Sequence, residues 1–239
     1  MKFIDMHSHI LPGIDDGAKD LEEAKEMLRI ACDEGIRYII ATPHFHPKRG
    51  KAAQENIKKQ LELLRKEAKS LDEKMQIFIG HEVYYGQDVP ELLSQRQIYT
   101  MNLREYVLVE FSTGAEESYI KQAVMQLQSR GYKVILAHVE RYECIRNSME
   151  LVEFLINSGV HFQVNAGSIL GTRGREIKKF VRRLLEEKMV FCVGTDAHDS
   201  KVRPPHMKKA AHYVEKKYGE DYARRIFFSN AAMMLKKKR

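Results

Sequence analysis

The stretch FIDMHSHILPGIDDG, residues 3 to 17, carries His7 and His9 two positions apart at the end of an apolar run, followed by Asp15, Asp16 and Gly17. Residues i and i+2 of a strand point to the same face, so both imidazoles are directed at one spot. Similar β-rich runs end in side chains of the same kind: His44, Glu82, Glu110, His138, and the pair Asp196 and His198, with Asp16 on the first loop as a ninth. In a parallel barrel the C-terminal strand ends converge on one mouth. So many imidazoles and carboxylates are costly to bury together without a compensating cation, and their chemistry is therefore metal binding. Nitrogen and oxygen donors without thiolate favour Mn, Fe or Zn, and the number of acids predicts two or three ions. Clustered divalent ions suit the hydrolysis of a phosphate ester by an activated water. Arg141 in AHVERY offers a rigid fork for phosphate oxygens, and Arg203 in SKVRPPH a second anion clamp.

Other residues of the same types receive different readings. His81 points to the opposite strand face from Glu82, His161 opens a strand, and His206 and His212 lie in helix-like sequence, so none is assigned as a ligand. His46 borders substrate without touching metal. Asp5 shares the parity of His7 and His9 at a deeper level and is expected to orient an imidazole, whereas Asp15 reads as a turn acid. Gly167, Gly171 and Gly174 match neither a dinucleotide nor a P-loop pattern and mark a turn region. Cys32, Cys144 and Cys192 form no C-x-x-C pair and are expected to be reduced. They are followed six positions later by Tyr38, Glu150 and His198, so the C-x5-R loop of cysteine-dependent phosphatases is absent.

The elements that position these groups follow a regular rhythm. Seven β-rich runs begin at residues 3, 38, 76, 106, 133, 161 and 191. Helical periodicity separates them: Leu21, Ala24, Leu28 and Ala31; Ile57, Leu61, Leu64 and Ala68; Ile120, Val124 and Leu127; Ile177, Val181, Leu184 and Leu185. Two further helices are expected at about 205–218 and 220–236. The alternation predicts an α/β fold, a TIM-barrel-like parallel barrel over residues 1–239 as one domain, with a doubly wound open sheet as the alternative. With 239 residues, 44% hydrophobic, the chain has material for one large core. No stretch reaches the length of a membrane span or resembles a signal peptide, which predicts a cytoplasmic protein. The net charge of +7 includes Lys236, Lys237, Lys238 and Arg239 at the C-terminus. Such a cluster reads as the solvated end of a helix, and no aromatic and basic pattern of a nucleic-acid platform accompanies it.

In the segments DMHSHILPGIDDGAKD, GIRYIIATPHFHP, GHEVYYG, YVLVEFS, GYKVILAHVERY and GTDAHDSKVRPP the chain resembles the polymerase and histidinol phosphatase (PHP) superfamily, and within it the bacterial manganese-dependent protein-tyrosine phosphatases of capsule and exopolysaccharide systems. The resemblance implies a distorted seven-stranded (β/α)7 barrel with a trinuclear site at its mouth. It implies one metal on His7, His9, Glu82 and Asp196, a second sharing Glu82 and adding Glu110 and His138, and a third on Asp16, His44 and His198, with Arg141 on the phosphoryl group. Val139 and His81 depart from the residues common at those positions, and neither removes a ligand. The implied activity is hydrolysis of phosphotyrosine on a membrane-associated bacterial tyrosine kinase. Loops near His46, Tyr84, Tyr85 and Arg203 are expected to meet the phenyl ring. The alternatives are a small-molecule phosphoesterase of the histidinol phosphatase kind and a non-catalytic metal-binding partner of a kinase.

Overall fold

Parallel strands need long crossovers, and the alternation of short strands with helices supplies them. The computed structural model describes residues 2–45 and 50–235. Its order is β1 (Phe3–Ser8), α1 (Leu21–Glu34), β2 (Ile36–Ala41), α2 (Gly50–Leu71), β3 (Gln76–Ile79), β4 (Glu82–Tyr84), α3 (Val89–Ser94), β5 (Tyr106–Glu110), α4 (Glu117–Ser129) and β6 (Lys133–Leu136). There follow α5 (Glu143–Asn147), α6 (Met149–Asn157), β7 (His161–Asn165), α7 (Ala166–Leu170), α8 (Arg175–Glu186), β8 (Cys192–Gly194), α9 (Lys208–Tyr218), α10 (Glu220–Arg224) and α11 (Asn230–Leu235). The strands form two sheets, β1-β2-β3 and β4-β5-β6-β7-β8, and every pairing is parallel. Isolated parallel bridges join them at both seams, Ser8 to Ala197 and His44 to Glu82. The α/β class with parallel sheets therefore matches the sequence pattern. His46 and the cluster Lys236 to Arg239 lie outside the described residues.

Seven β-rich runs yield eight strands because the third divides at Gly80 and His81. There the backbone N–H of His81 donates to the Tyr99 carbonyl, and the His81 ring accepts from the Tyr99 N–H, so this residue's hydrogen bonds leave the ladder. The helices bury the faces that periodicity marks: Ala24, Leu28 and Ala31 on α1, Ile120, Val124 and Leu127 on α4, Val181, Leu184 and Leu185 on α8. Asp20 caps α1 by accepting the Glu23 N–H at 2.9 Å, and Ser148 caps α6 in the same way. Residues such as Val107, Val109, Val134 and Leu136 pack under the helices, while Ile4, Met6, Ile40, Leu108, Ile135 and Cys192 gather from both sheets on the other strand face, with Ala231 and Met234 of α11. Among the described residues no helix is long and apolar enough to cross a membrane.

Two register shifts mark the first strand: between Phe3, opposite Ile36, and Ile4, opposite Tyr38, β2 takes two steps where β1 takes one. Between Asp5, opposite Ile39, and Ser8, opposite Ala41, β1 takes three steps where β2 takes two. Such a bulge reverses the alternation of side chains beyond it. Met6 stays on the Ile4 face with Ile40 and Leu108, and His7 and His9 turn toward the mouth. Asp5 stays opposite Ile39, and among the described residues its carboxylate makes no hydrogen bond to an imidazole.

Candidate metal centre

The bulge and the loop that follows it set the first two imidazoles. His7 Nε2 and His9 Nε2 stand 3.2 Å apart, and both rings are fully buried. Gln163 Oε1 already accepts the His138 backbone N–H at 2.7 Å, so this oxygen is an acceptor and His7 Nδ1, 3.0 Å away, donates to it. His9 Nδ1 donates to Asp15 Oδ2 at 2.7 Å. Both Nδ1 protons are thus committed, and both Nε2 atoms face inward. Asp15 also accepts the backbone N–H groups of His44 and Gly17. Gly17 is required by close approach, since a Cβ there would lie 2.0 Å from the His9 carbonyl oxygen. Gly17→Ala is expected to cost about 1–3 kcal/mol, lowering Tm by roughly 5 °C, and to weaken metal binding by displacing His9; thermal melts and a metal titration check both.

The remaining strand ends close around the same point. Glu82 Oε2 lies 3.1 Å from His7 Nε2, 3.1 Å from His9 Nε2 and 3.3 Å from His44 Nδ1, while its Oε1 lies 2.7 Å from His138 Nε2. Glu110 stands 3.6 Å from His44 and 3.4 Å from His138. Asp16 reaches in from the loop, 3.5 Å from His44 Nε2 and 3.7 Å from His198 Nε2. All nine residues singled out in the sequence therefore meet in one cluster. Within it, three sets have ligand atoms lying within 4.8 Å of one another: His7, His9, Glu82 and Asp196; His9, Asp16, His44 and His198; and His44, Glu82 and Glu110.

Asp196 divides the cluster from a group of arginines. Its Oδ1 faces His7, His9 and His198 at 3.6–3.7 Å. Its Oδ2 accepts from Asn165 Nδ2 and Arg203 Nη2, each at 2.8 Å, and from Arg141 Nη2. Arg141 sits on a 3₁₀ turn, Val139–Arg141, which Arg146 clamps by donating to the Glu140 and Arg141 carbonyls. Asp196 and His138 both adopt positive φ, 54° and 32°. Non-glycine residues occupy that region at a cost, and the surrounding hydrogen bonds hold the strained turns that aim these side chains inward.

Electrostatics tests whether this donor set fits a cation. Burial pulls the His9 pKa down, yet hydrogen bonds to Asp15 and Glu82 override it and raise it to about 10. His138 rises to about 9 for the same reason, through Glu110 and Glu82. Burial would raise the pKa values of Glu82 and Asp196, but the neighbouring imidazoles, and for Asp196 also Arg141, hold both carboxyls below the usual range. His198 drops to about 4 through burial and the His9 charge. The carboxylates thus demand positive charge, which the imidazoles supply until an ion takes their protons' place, at a point where His7, His9, Glu82 and Asp196 converge their ligand atoms, and the residues fit divalent ions.

With that geometry established, the family described as "Capsular polysaccharide synthesis, CpsB/CapC" matches residues 3–236. The chain belongs to this CpsB/CapC family. It is 34% identical over 238 residues to the tyrosine-protein phosphatase CpsB of Streptococcus agalactiae, covering 98% of each chain. It is also 34% identical over 233 residues to the tyrosine-protein phosphatase YwqE of Bacillus subtilis, covering 98% of this chain and 91% of YwqE. A solved structure from work on YwqE and Streptococcus pneumoniae CpsB, described as unique metal-dependent tyrosine phosphatases, superposes with a TM-score of 0.88 at 34% identity, covering 97% of this chain and 94% of that one.

Several individual expectations change on this CpsB/CapC scaffold. Asp5 orients no imidazole: its carboxylate accepts the backbone N–H of His7 and both the N–H and the hydroxyl of Thr195, fixing the segment that leads into Asp196, and burial lifts its pKa to about 6. Asp15, read as a turn acid, is the partner that orients His9. Tyr85 is buried and donates to Gln126, so it cannot meet a substrate ring, whereas Tyr84 is 55% exposed opposite Glu110. His81 stays outside the cluster, stacked on Tyr99. Sequence reading missed Gln163, Asn165 and Arg173. The two amides share one strand face at i and i+2 in HFQVN, the same signal that marked His7 and His9. Arg173 lies beside the mouth, where partial desolvation of its largely exposed side chain and then the charges of Arg141 and Arg203 lower its pKa. Cys192 is buried, and burial pushes its thiol and that of Cys144 upward, away from thiolate chemistry.

Proposed function

We propose that this chain is a metal-dependent protein-tyrosine phosphatase whose ligands are His7, His9, Asp16, His44, Glu82, Glu110, His138, Asp196 and His198, with Arg141 and Arg203 binding the phosphoryl oxygens. On this reading it hydrolyses phosphotyrosine on a membrane-associated bacterial tyrosine kinase in capsule or exopolysaccharide synthesis, in the cytoplasm. Residues 1–239 are one domain, and the strands amount to a distorted seven-stranded barrel with an interrupted third strand. The cofactor is two or three Mn²⁺ ions, with Fe and Zn compatible with the same nitrogen and oxygen donors.

The observation that carries the reading is the convergence of acceptor atoms beside an aspartate held by two arginines. Bound divalent ions supply Lewis acidity, which acidifies water and neutralises phosphoryl charge. The chain's own work is positioning. Gln163 and Asp15 fix the His7 and His9 rings, and Asn165 fixes Asp196. Among the described residues the Arg141 side chain has one partner, Asp196, so its other N–H groups are free for phosphoryl oxygens. The phenolate of tyrosine, with a pKa of about 10, leaves with less protonic help than an alkoxide. Tyr84 offers a ring face next to Glu110.

Two measurements test this. With purified protein and defined metal, phosphotyrosine peptides are expected to give the highest kcat/KM in a panel with phosphoserine peptides, histidinol phosphate and nucleotides. Preference for histidinol phosphate would transfer the chain to the small-molecule phosphoesterases, and absence of any turnover would make it a metal-binding partner. Metal loading near neutral pH is also expected to release protons, because His9 and His138 hold theirs below about 10 and about 9 until an ion displaces them. Affinity should therefore fall as pH falls. A weakly buffered titration with a pH indicator reads the release directly, and its absence would contradict the assignment.

A further inference from the structure

A cavity of about 690 Å³ runs outward from Asp196 and Asn165, between the turn at Thr172 and Arg173, the loop Lys201–Pro204 and the first turn of α9. Its wall carries Arg173, Lys201 and Lys209, all exposed. Among the described residues none of these three side chains has an ion pair, and all three face one cavity. The acids that share the cavity are committed. Asp196 holds Arg141 and Arg203, and Glu34 accepts the backbone N–H groups of Met207 and Lys208 and faces His206 at 3.4 Å. Three cations on a solvated surface of a basic protein are ordinary; three without ion-pair partners in a cavity whose own acids are already committed, opening from the candidate centre, are a complementary surface for negative charge.

The loop on this wall is pre-formed. Asp199 accepts the backbone N–H groups of Lys201, Val202 and Arg203, which pins the turn and leaves Val202 84% exposed at its tip. A rigid rim with one apolar side chain between cations loses little entropy when an extended chain lies against it.

We infer that this groove binds the peptide segment flanking the phosphotyrosine and selects acidic residues there, through Arg173, Lys201 and Lys209. The inference rests on the phosphatase reading above and adds the sequence class of the substrate. Two phosphotyrosine peptides, identical except for Asp and Glu against Asn and Gln on both sides of the tyrosine, test it with the metal-loaded protein. The acidic peptide is expected to have a kcat/KM about three- to tenfold higher, and the ratio should shrink between about 0.05 M and about 0.5 M salt. In Lys201→Ala/Lys209→Ala the ratio should approach one, and in Lys209→Glu it should fall further, toward preference for the neutral peptide. A ratio near one in the parent, or a ratio that survives both variants, overturns the inference while leaving the phosphatase reading intact. No turnover of either peptide or of 4-nitrophenyl phosphate overturns both.

Discussion

Chelation of divalent ions is expected to abolish aryl phosphate turnover, and Glu82→Gln to remove most of it at any metal concentration that leaves the parent saturated; these are the largest losses expected of this chain. Among the described residues Glu82 is the one carboxylate shared by four imidazoles, with Oε2 toward His7, His9 and His44 and Oε1 toward His138. Glutamine keeps the shape but removes the charge and turns one acceptor into a donor facing ring nitrogens. Partners one shell beyond a metal are typically worth 10- to 100-fold, so a residue at the centre should cost at least about that much. Metal content should fall with activity, while far-UV circular dichroism stays as in the parent. Full turnover in chelator, or a Glu82→Gln protein that keeps both metal and rate, would sink the assignment.

The same residue illustrates what could be read in advance. Residue type at strand ends, and for Asp16 on the loop after β1, marked the residues that meet in the cluster, His7, His9, Asp16, His44, Glu82, Glu110, His138, Asp196 and His198, because a carboxylate or imidazole breaking an apolar run is visible without knowing the pairing. The alternation of strand and helix gave the α/β class for the same reason. Asp5 was misread because parity counting assumes an unbroken ladder, and the bulge before Ser8 is set by pairing with β2 rather than by any residue in β1. Asp15 was underrated because a turn acid and an imidazole-orienting acid look alike until His9 is folded against it. Gln163 and Asn165 are amides, a residue type that carries no metal signature, and their role emerges only when β7 lies between β6 and β8. The split of the third run follows from Tyr99, eighteen residues beyond His81, which no local pattern reveals.

Arg141→Ala tests the other half of the site, and its signature is a loss of rate without a loss of metal. Asp196 Oδ1 faces the imidazoles, whereas Arg141 meets Oδ2, which Arg203 and Asn165 also occupy. Removing Arg141 therefore leaves the carboxylate held and the ligand set assembled. On the proposed reading what disappears is a preorganised cation for the phosphoryl oxygens, and such a donor is worth about 3–4 kcal/mol, or roughly 10²–10³ in kcat. Arg141→Lys should recover little of it, because an ammonium lacks the planar fork that meets Asp196 and a phosphoryl oxygen together. His7→Ala supplies the contrast: metal is lost first, and rate with it. Metal analysis alongside steady-state kinetics on one aryl phosphate separates the two patterns. An Arg141→Ala protein that turns over that ester like the parent would show that the arginine serves Asp196 alone, and the phosphoryl contact would then pass to Arg203.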